Sequence, residues 1–445
     1  MPYIPLTGPE KRGLLREIGV SSLDDLIRAI PSALRGPEMS LPEGMSEPEV
    51  QHLVRDLGAL NTSGLDFLSF LGAGSYDHFI PSAVQEVISR QEFSTAYTPY
   101  QPEASQGTLQ AIFEYQSLMA ELTGLAASNA SHYDGATSLA EAALVALRHT
   151  ERPKILIARS VHPHHREVIR TYLAESTCRV EEFGFTAGGG FDRQSLAAKL
   201  DADTAGVIFQ TPNFFGIVED LAGIADQVHA NKSLLILSGH PASFALFRSP
   251  GEWGADIAAG EGQPLGMPVS FGGPYLGYFV TTQALLRRMP GRIAGATEDA
   301  DGRRAFCLTL QAREQHIRRE RAGSNICSNQ ALCALAACAY MTFLGRQGMR
   351  EVAELNLDRA TYLREKIAGI KGFEVAVSQP IFNEFVVKSP VPFAQIEKKL
   401  AAERIFPGVA LETYYPELRN RFLVCATETK TREDIDRFAE ALAKC

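Results

Sequence analysis

From about Gly107 onward, helical patterns alternate with short apolar runs, and this alternation constrains the fold more than any other feature of the chain. Helices are predicted over Leu109–Leu122, Ser138–Arg148, Arg166–Ala174, Gln194–Leu200 and Leu221–Ala230. Between them fall strand-like runs at Lys154–Ala158, Arg179–Phe183, Gly206–Gln210 and Leu234–Leu237. Several of these runs are apolar almost throughout rather than alternating, as expected of strands covered on both faces. Such a text predicts βαβ units wound into a mainly parallel sheet.

The texture changes on either side of that region. Long helices predicted from about Ser328 to Leu344 and from Met349 to Ile367 lead into shorter pieces: Phe373–Val377, Phe385–Lys388, helix Phe393–Glu403, Val409–Glu412, Arg421–Ala426 and a closing helix Arg432–Ala443. At the other end, helical patterns at Glu10–Ile18 and Leu23–Ala29 precede the stretch Pro37–Pro48, which is too rich in Pro and Gly to be regular. The expected organisation is an N-terminal helical arm (1–70), a large α/β domain (71–345) and a small α+β domain (346–445).

Charge and composition limit the partners. A formal charge of -9, with 43 Lys+Arg against 52 Asp+Glu, leaves no basic footprint for nucleic acid or an anionic membrane surface. The longest apolar stretch, Ala331 to Gly345, falls short of the roughly 18–20 residues of a membrane span. The N-terminus has neither the charged start nor the apolar run of a signal peptide, so a cytoplasmic protein is expected. The seven cysteines are scattered without CxxC pairs, which suits a reducing compartment and predicts no metal site. Cys327, Cys333 and Cys338 are read as lying in a helical apolar stretch.

A large α/β domain followed by a small α+β domain is the layout of the fold-type I pyridoxal-phosphate enzymes, and that cofactor makes testable demands. It needs a lysine amine, a carboxylate at the pyridine nitrogen, donors for its phosphate and a flat group against its ring. No lysine occurs between Lys232 and Lys366, the interval containing the loop after the Leu234 strand. Lys232 precedes that strand and so belongs to the opposite side of the sheet. The strand itself reads Leu234-Leu-Ile-Leu-Ser-Gly-His240 and offers Ser238 where an aspartate is wanted; Asp256 is read as opening the next strand.

A cradle for such a cofactor is nonetheless recognisable. Ser131-His-Tyr-Asp-Gly-Ala-Thr-Ser138 leads into a helix, so the amides around Gly135, Ala136 and Thr137 could receive an anion. The same residues also read as an Asp/Thr helix cap with a glycine for close packing. His162 follows the Lys154 strand, where a ring-stacking group would stand; it also reads as a polar loop residue. Three further stretches are candidates for pocket walls. Tyr97-Thr-Pro-Tyr-Gln-Pro-Glu103 places Tyr97, Tyr100 and Gln101 on a proline-stiffened turn, Gly266–Gly277 brings backbone close to a ligand or a neighbour, and Arg318–Gln330 is either a salt-bridged face or a carboxylate site.

These segments together resemble the P-protein of the glycine cleavage system, in the N-terminal chain of its two-chain form. The resemblance rests on Phe70-Leu-Gly-Ala-Gly-Ser-Tyr-Asp-His-Phe-Ile-Pro81, Tyr97–Glu103, Tyr133-Asp-Gly-Ala-Thr137, Ser160-Val-His-Pro163, Gln210-Thr-Pro-Asn213, Phe271-Gly-Gly-Pro274 and Ser324-Asn-Ile-Cys-Ser-Asn-Gln330, in order along the chain. The family pattern has Lys, Thr and Thr where this chain has Arg321, Gly323 and Ser328, so no role of those residues carries over. The resemblance implies a subunit of a glycine-decarboxylating enzyme that passes the aminomethyl group to the lipoyl arm of H-protein. It further implies that pyridoxal phosphate is bound covalently by the companion subunit 2 (beta chain). This chain would then keep a vestigial cradle (Gly135, Ala136, Thr137, His162) and contribute Tyr97, Tyr100 and Gln101 near the interface. A structural or regulatory paralogue acting outside the complex is the alternative.

Overall fold

The computed structural model describes residues 6–36, 40–42, 44–62, 66–94, 97–375 and 379–445. It divides into two compact units, Met1–Thr62 and Ser63–Cys445. In the first, helices Gly8–Ile18, Leu23–Leu26 and Glu47–Ala59 each begin with a capping box, at Thr7/Glu10, Ser22/Asp25 and Ser46/Glu49, and none buries a residue. The Glu47 helix is not anticipated from the sequence, where the prolines around it dominate. Pro48 sits in its first turn, where a missing N–H costs nothing. Residues 37–39 and 43 of the irregular Pro37–Pro48 stretch lie outside the described residues.

The second unit is built on a seven-stranded sheet. From one edge to the other its strands are Ala127–Ser128, Gly277–Thr281, Ile257–Glu261, Leu234–Ser238, Thr204–Gln210, Lys154–Ala158 and Arg179–Phe183. The last five run parallel, Gly277–Thr281 runs against its neighbours, and helices cover both faces. Lys154–Ala158 and Leu234–Ser238 are buried at every position, which is why the apolar runs 155–158 and 234–237 within them are unbroken. The core between sheet and helices includes Leu156, Ile208, Phe209, Leu235 and Phe279. Asp256 lies at the entry of the Ile257 strand, accepting from Leu235 N–H at 2.8 Å.

A smaller antiparallel sheet joins Glu384–Lys388, Arg421–Cys425 and Val409–Ala410, and shares an apolar core with helices Phe393–Ala402 and Arg432–Leu442. Leu68–Ser69 pairs in parallel with Ile405–Phe406, and Phe70 stacks on Phe438 with ring centroids 4.1 Å apart, so this segment packs with the small sheet. The two long helices predicted after residue 328 form one element, Ala331–Ala368, broken at Gly345. Gly345 adopts φ 62°, a conformation that admits glycine most readily. Cys333 and Cys338 are buried in that element, whereas Cys327 is exposed in the loop before it, because the helix starts only at Ala331, where the apolar run itself begins. The expected Phe373–Val377 strand is reduced to a bridge at Glu374, and 376–378 lie outside the described residues. Among the described residues no helix is long and apolar enough to cross a membrane.

Candidate functional site

The C-terminal ends of parallel strands form a natural crevice, because the chain leaves each strand there for a loop. In this chain the crevice is lined by His162 and His165, by Gln210, Asn213 and Ser238, by Gly239, His240, Glu261 and Pro264, and from the small sheet by Asn383 and Glu384. Gly74 and Tyr76 close it from the segment preceding the large domain's first helix. The space enclosed is about 40 Å³. That is near the ~30 Å³ share of one water molecule and far below the ~300 Å³ at which small-molecule sites begin.

His162 stands in this crevice, held in one orientation and one protonation state. Its backbone amide donates to Gln210 Oε1 at 2.8 Å, its Nε2 lies 2.8 Å from Ala73 O, and its Nδ1 accepts from His164 N–H at 3.2 Å. One nitrogen must donate and the other accept, which is the neutral ring; burial, with His165 beside it, pushes its pKa well below the usual range. The ring stacks on His165 at 4.7 Å. Gly74, at φ 101°, lies so close that an added Cβ would come within 2.7 Å of the His162 ring.

The expected cradle is present and already occupied by the chain itself. Asp134 caps the Gly135–Thr150 helix, its Oδ1 accepting from Thr137 N–H at 2.8 Å. Gly135 N–H donates to Glu261 Oε2 at 2.9 Å, while Glu261 Oε1 accepts from Gln263 N–H at 2.9 Å and Leu276 N–H at 3.1 Å. A carboxylate therefore sits where the helix N-terminus would receive an anion. Burial raises the Glu261 pKa to about 7 despite these donors. Glu384 is a second buried acid, accepting from Tyr76 Oη–H at 2.6 Å and Ala73 N–H at 2.8 Å, and burial lifts it to about 7 as well. Behind them runs a polar chain from Glu428 to His78 (2.8 Å) to His240 (3.1 Å), which Asn383 also meets at 3.2 Å.

The sequence does not single out Glu261, Glu384, Tyr76, His78 or Asn383. They share no local signal, because the partners come from opposite ends of the chain and meet only in the folded crevice. The tyrosine loop takes no part in this crevice. Tyr97 is 78% exposed, and Gln101 is exposed. Tyr100 accepts from Arg292 Nη2 at 2.9 Å, with the guanidinium 4.8 Å from its ring centroid. Phe271, also a glycine-loop residue, is fully exposed with φ 52°.

Covalently held pyridoxal phosphate does not fit these residues. Neither the loop after Ser238 nor the one after Glu261 supplies a lysine to the crevice, Ser238 stands at the strand end, and two of the three cradle amides are bound to the chain's own carboxylates. Lys232 lies at the start of the Leu234 strand, at the far end from the crevice.

Strand order, the reversed Gly277 strand and the appended small sheet define the class: this is the fold of the type I pyridoxal-phosphate enzymes. A sphingosine-1-phosphate lyase from Burkholderia pseudomallei shares the fold at a TM-score of 0.66 and 15% identity over 93% of each chain. Within that class the chain belongs to the glycine cleavage system P-protein family, which matches residues 1–442. It is 49% identical, over 99% of each chain, to a probable glycine dehydrogenase (decarboxylating) subunit 1 of Desulforamulus reducens. It is also 40% identical, with a TM-score of 0.90 and full coverage of both chains, to a crystal structure of glycine decarboxylase (P-protein) in inhibitor-bound form.

Proposed function

We propose that this chain is the subunit of a heteromeric, glycine-decarboxylating P-protein that does not itself hold the cofactor. Its companion, subunit 2, carries pyridoxal phosphate covalently; this chain supplies architecture and walls to a site near their interface, and the lipoyl arm of H-protein accepts the aminomethyl group. The observation that carries the reading is the Gly135–Glu261 bond. With the helix start so occupied, in a crevice of about 40 Å³ that no lysine lines, the geometry supports chemistry residing elsewhere in the assembly. The exposed Tyr97, Gln101 and Phe271 are the side chains that this reading turns toward the companion.

The test is reconstitution from separately purified chains. Glycine decarboxylation, followed as exchange of labelled CO2, is expected only when both chains are present, and the two should co-elute. A chain that remains alone in the presence of its cognate companion would favour a structural or regulatory role outside the complex. Exchange by the isolated chain would overturn the proposal outright.

A further inference from the structure

A second cavity, of about 230 Å³, lies at the other end of the Gly135–Thr150 helix and plays no part in the reading above. From Gly135, beside the first crevice, to Arg148, in the wall of the second, the helix advances by about 20 Å at 1.5 Å per residue. The cavity is lined by Arg148, by Arg287 and Arg288, and by Arg313, Arg318 and Arg321, with Glu314 as its one lining carboxylate and the buried Glu141 acting on Arg148 from behind the wall. The sequence leaves the Arg318 cluster open between a salt-bridged face and a carboxylate site. Arg148, Arg287, Arg288, Arg313 and Arg318 have no carboxylate within 4 Å among the described residues, and Arg321 reaches only its neighbour Glu320, at 4.0 Å. Glu314 is shared with His316 at 3.6 Å.

Some of these arginines have a structural task. Arg288 donates to Arg148 O at 3.1 Å, and Arg313 donates to Met289 O and, at 2.6 Å, to Gly291 O. Those bonds fix the Arg313 guanidinium as a rigid wall, and its buried Nε has no acceptor. Arg148 faces the buried Glu141 of its own helix, which compensates part of its charge, whereas Arg287 and Arg318 have no such task. Bringing several like charges into one concavity costs stability unless an anion compensates, in a chain whose overall charge is -9. One carboxylate ligand would offset one of these charges; a phosphate group offsets two and matches the guanidinium fork edge-on.

We propose that this cavity is an anion site for a small phosphate-bearing molecule, separate from the first crevice. Arg313 serves as its fixed wall, and Arg148, Arg287 and Arg318 close on the phosphate oxygens. The probe is pyrophosphate, titrated calorimetrically into the chain assembled with its companion. Wild type is expected to bind one pyrophosphate per copy of this chain. The double variant Arg287→Gln/Arg318→Gln, made only here, should bind it about ten-fold or more weakly, the scale of one lost charge-assisted hydrogen bond. Both residues are exposed, so folding should be unaffected. A control pair, Arg90→Gln/Arg350→Gln, removes the same charge from the surface and should leave binding intact. No binding by wild type at millimolar pyrophosphate, equal binding by the double variant, equal weakening by the control pair, or malonate binding as tightly as pyrophosphate would each overturn the proposal.

Discussion

The backbone N–H of Gly135 donates to the carboxylate of Glu261 at 2.9 Å, so the first turn of a buried helix is neutralised by a residue of the neighbouring strand. The contact depends on a missing side chain. A Cβ on residue 135 would lie 2.6–2.8 Å from the Glu261 backbone nitrogen, Cβ and Cα, atoms that cannot rotate away.

Gly135→Ala should therefore destabilise the chain by about 2–4 kcal/mol, the scale of an overpacked core position with a lost buried hydrogen bond. Chemical denaturation of the single variant checks this. A cost under about 1 kcal/mol would mean that the helix start gives way more easily than the geometry indicates.

Stability should depend on pH through Glu384. Its folded pKa, about 7, lies above the unfolded value of 4.5, so the protonated acid is the form that folding favours. That contribution is fully present below pH 4.5 and is lost as pH rises toward 7. Glu384→Gln, which stays neutral, should gain on wild type by about 2 kcal/mol between pH 5 and pH 8, measured as the difference between paired denaturation curves. The buried histidines His162, His165 and His240 are depressed and act in the opposite sense, so only the difference between the two proteins isolates Glu384.

The tyrosine loop should separate into two behaviours. Pro99 is buried and anchors the turn, while Tyr97 is left exposed. Tyr97→Phe, in this chain only, is expected to lower turnover of the reconstituted enzyme by roughly ten-fold, about 1.4 kcal/mol, with unchanged melting. Tyr100→Phe removes the acceptor held by Arg292, so it should also cost about 1 kcal/mol of stability. Full glycine decarboxylation by the Tyr97 variant would make this loop scaffolding.

Incubated with pyridoxal phosphate, the isolated chain should show no cofactor absorbance that borohydride fixes covalently, and no exchange of glycine with CO2. Mass spectrometry of the reduced chain is the direct measurement. A covalent adduct at Lys154, Lys199 or Lys232 would require the sheet to be approached from its other end.

The parallel sheet is legible because strands covered on both faces cannot alternate: Leu234–Leu237 has no polar residue to confuse its boundaries. Gly277–Thr281 is hidden by the glycines around it, although every residue in it is buried. At the site, His162 and the Gly135 turn can be read because one follows a predicted strand and the other leads into a predicted helix. Glu261 and Glu384 cannot, since what makes them acidic walls of one crevice is the packing of the large sheet against the small one. The lysine gap is legible with no structure at all, yet a gap says only what the chain lacks. That a carboxylate occupies the place of an anion is a tertiary fact.

The Gly135–Glu261 contact also bears on whether the division of labour proposed above could be undone. Installing a lysine in the loop after Glu261 would restore an amine, but the helix start would still be held by a tethered carboxylate whose local concentration a free phosphate could hardly match. Removing that carboxylate alone would free the amides but leave the crevice without an amine. On that proposal, each step toward a second working site is unrewarded until all are in place, and the asymmetry would preserve itself.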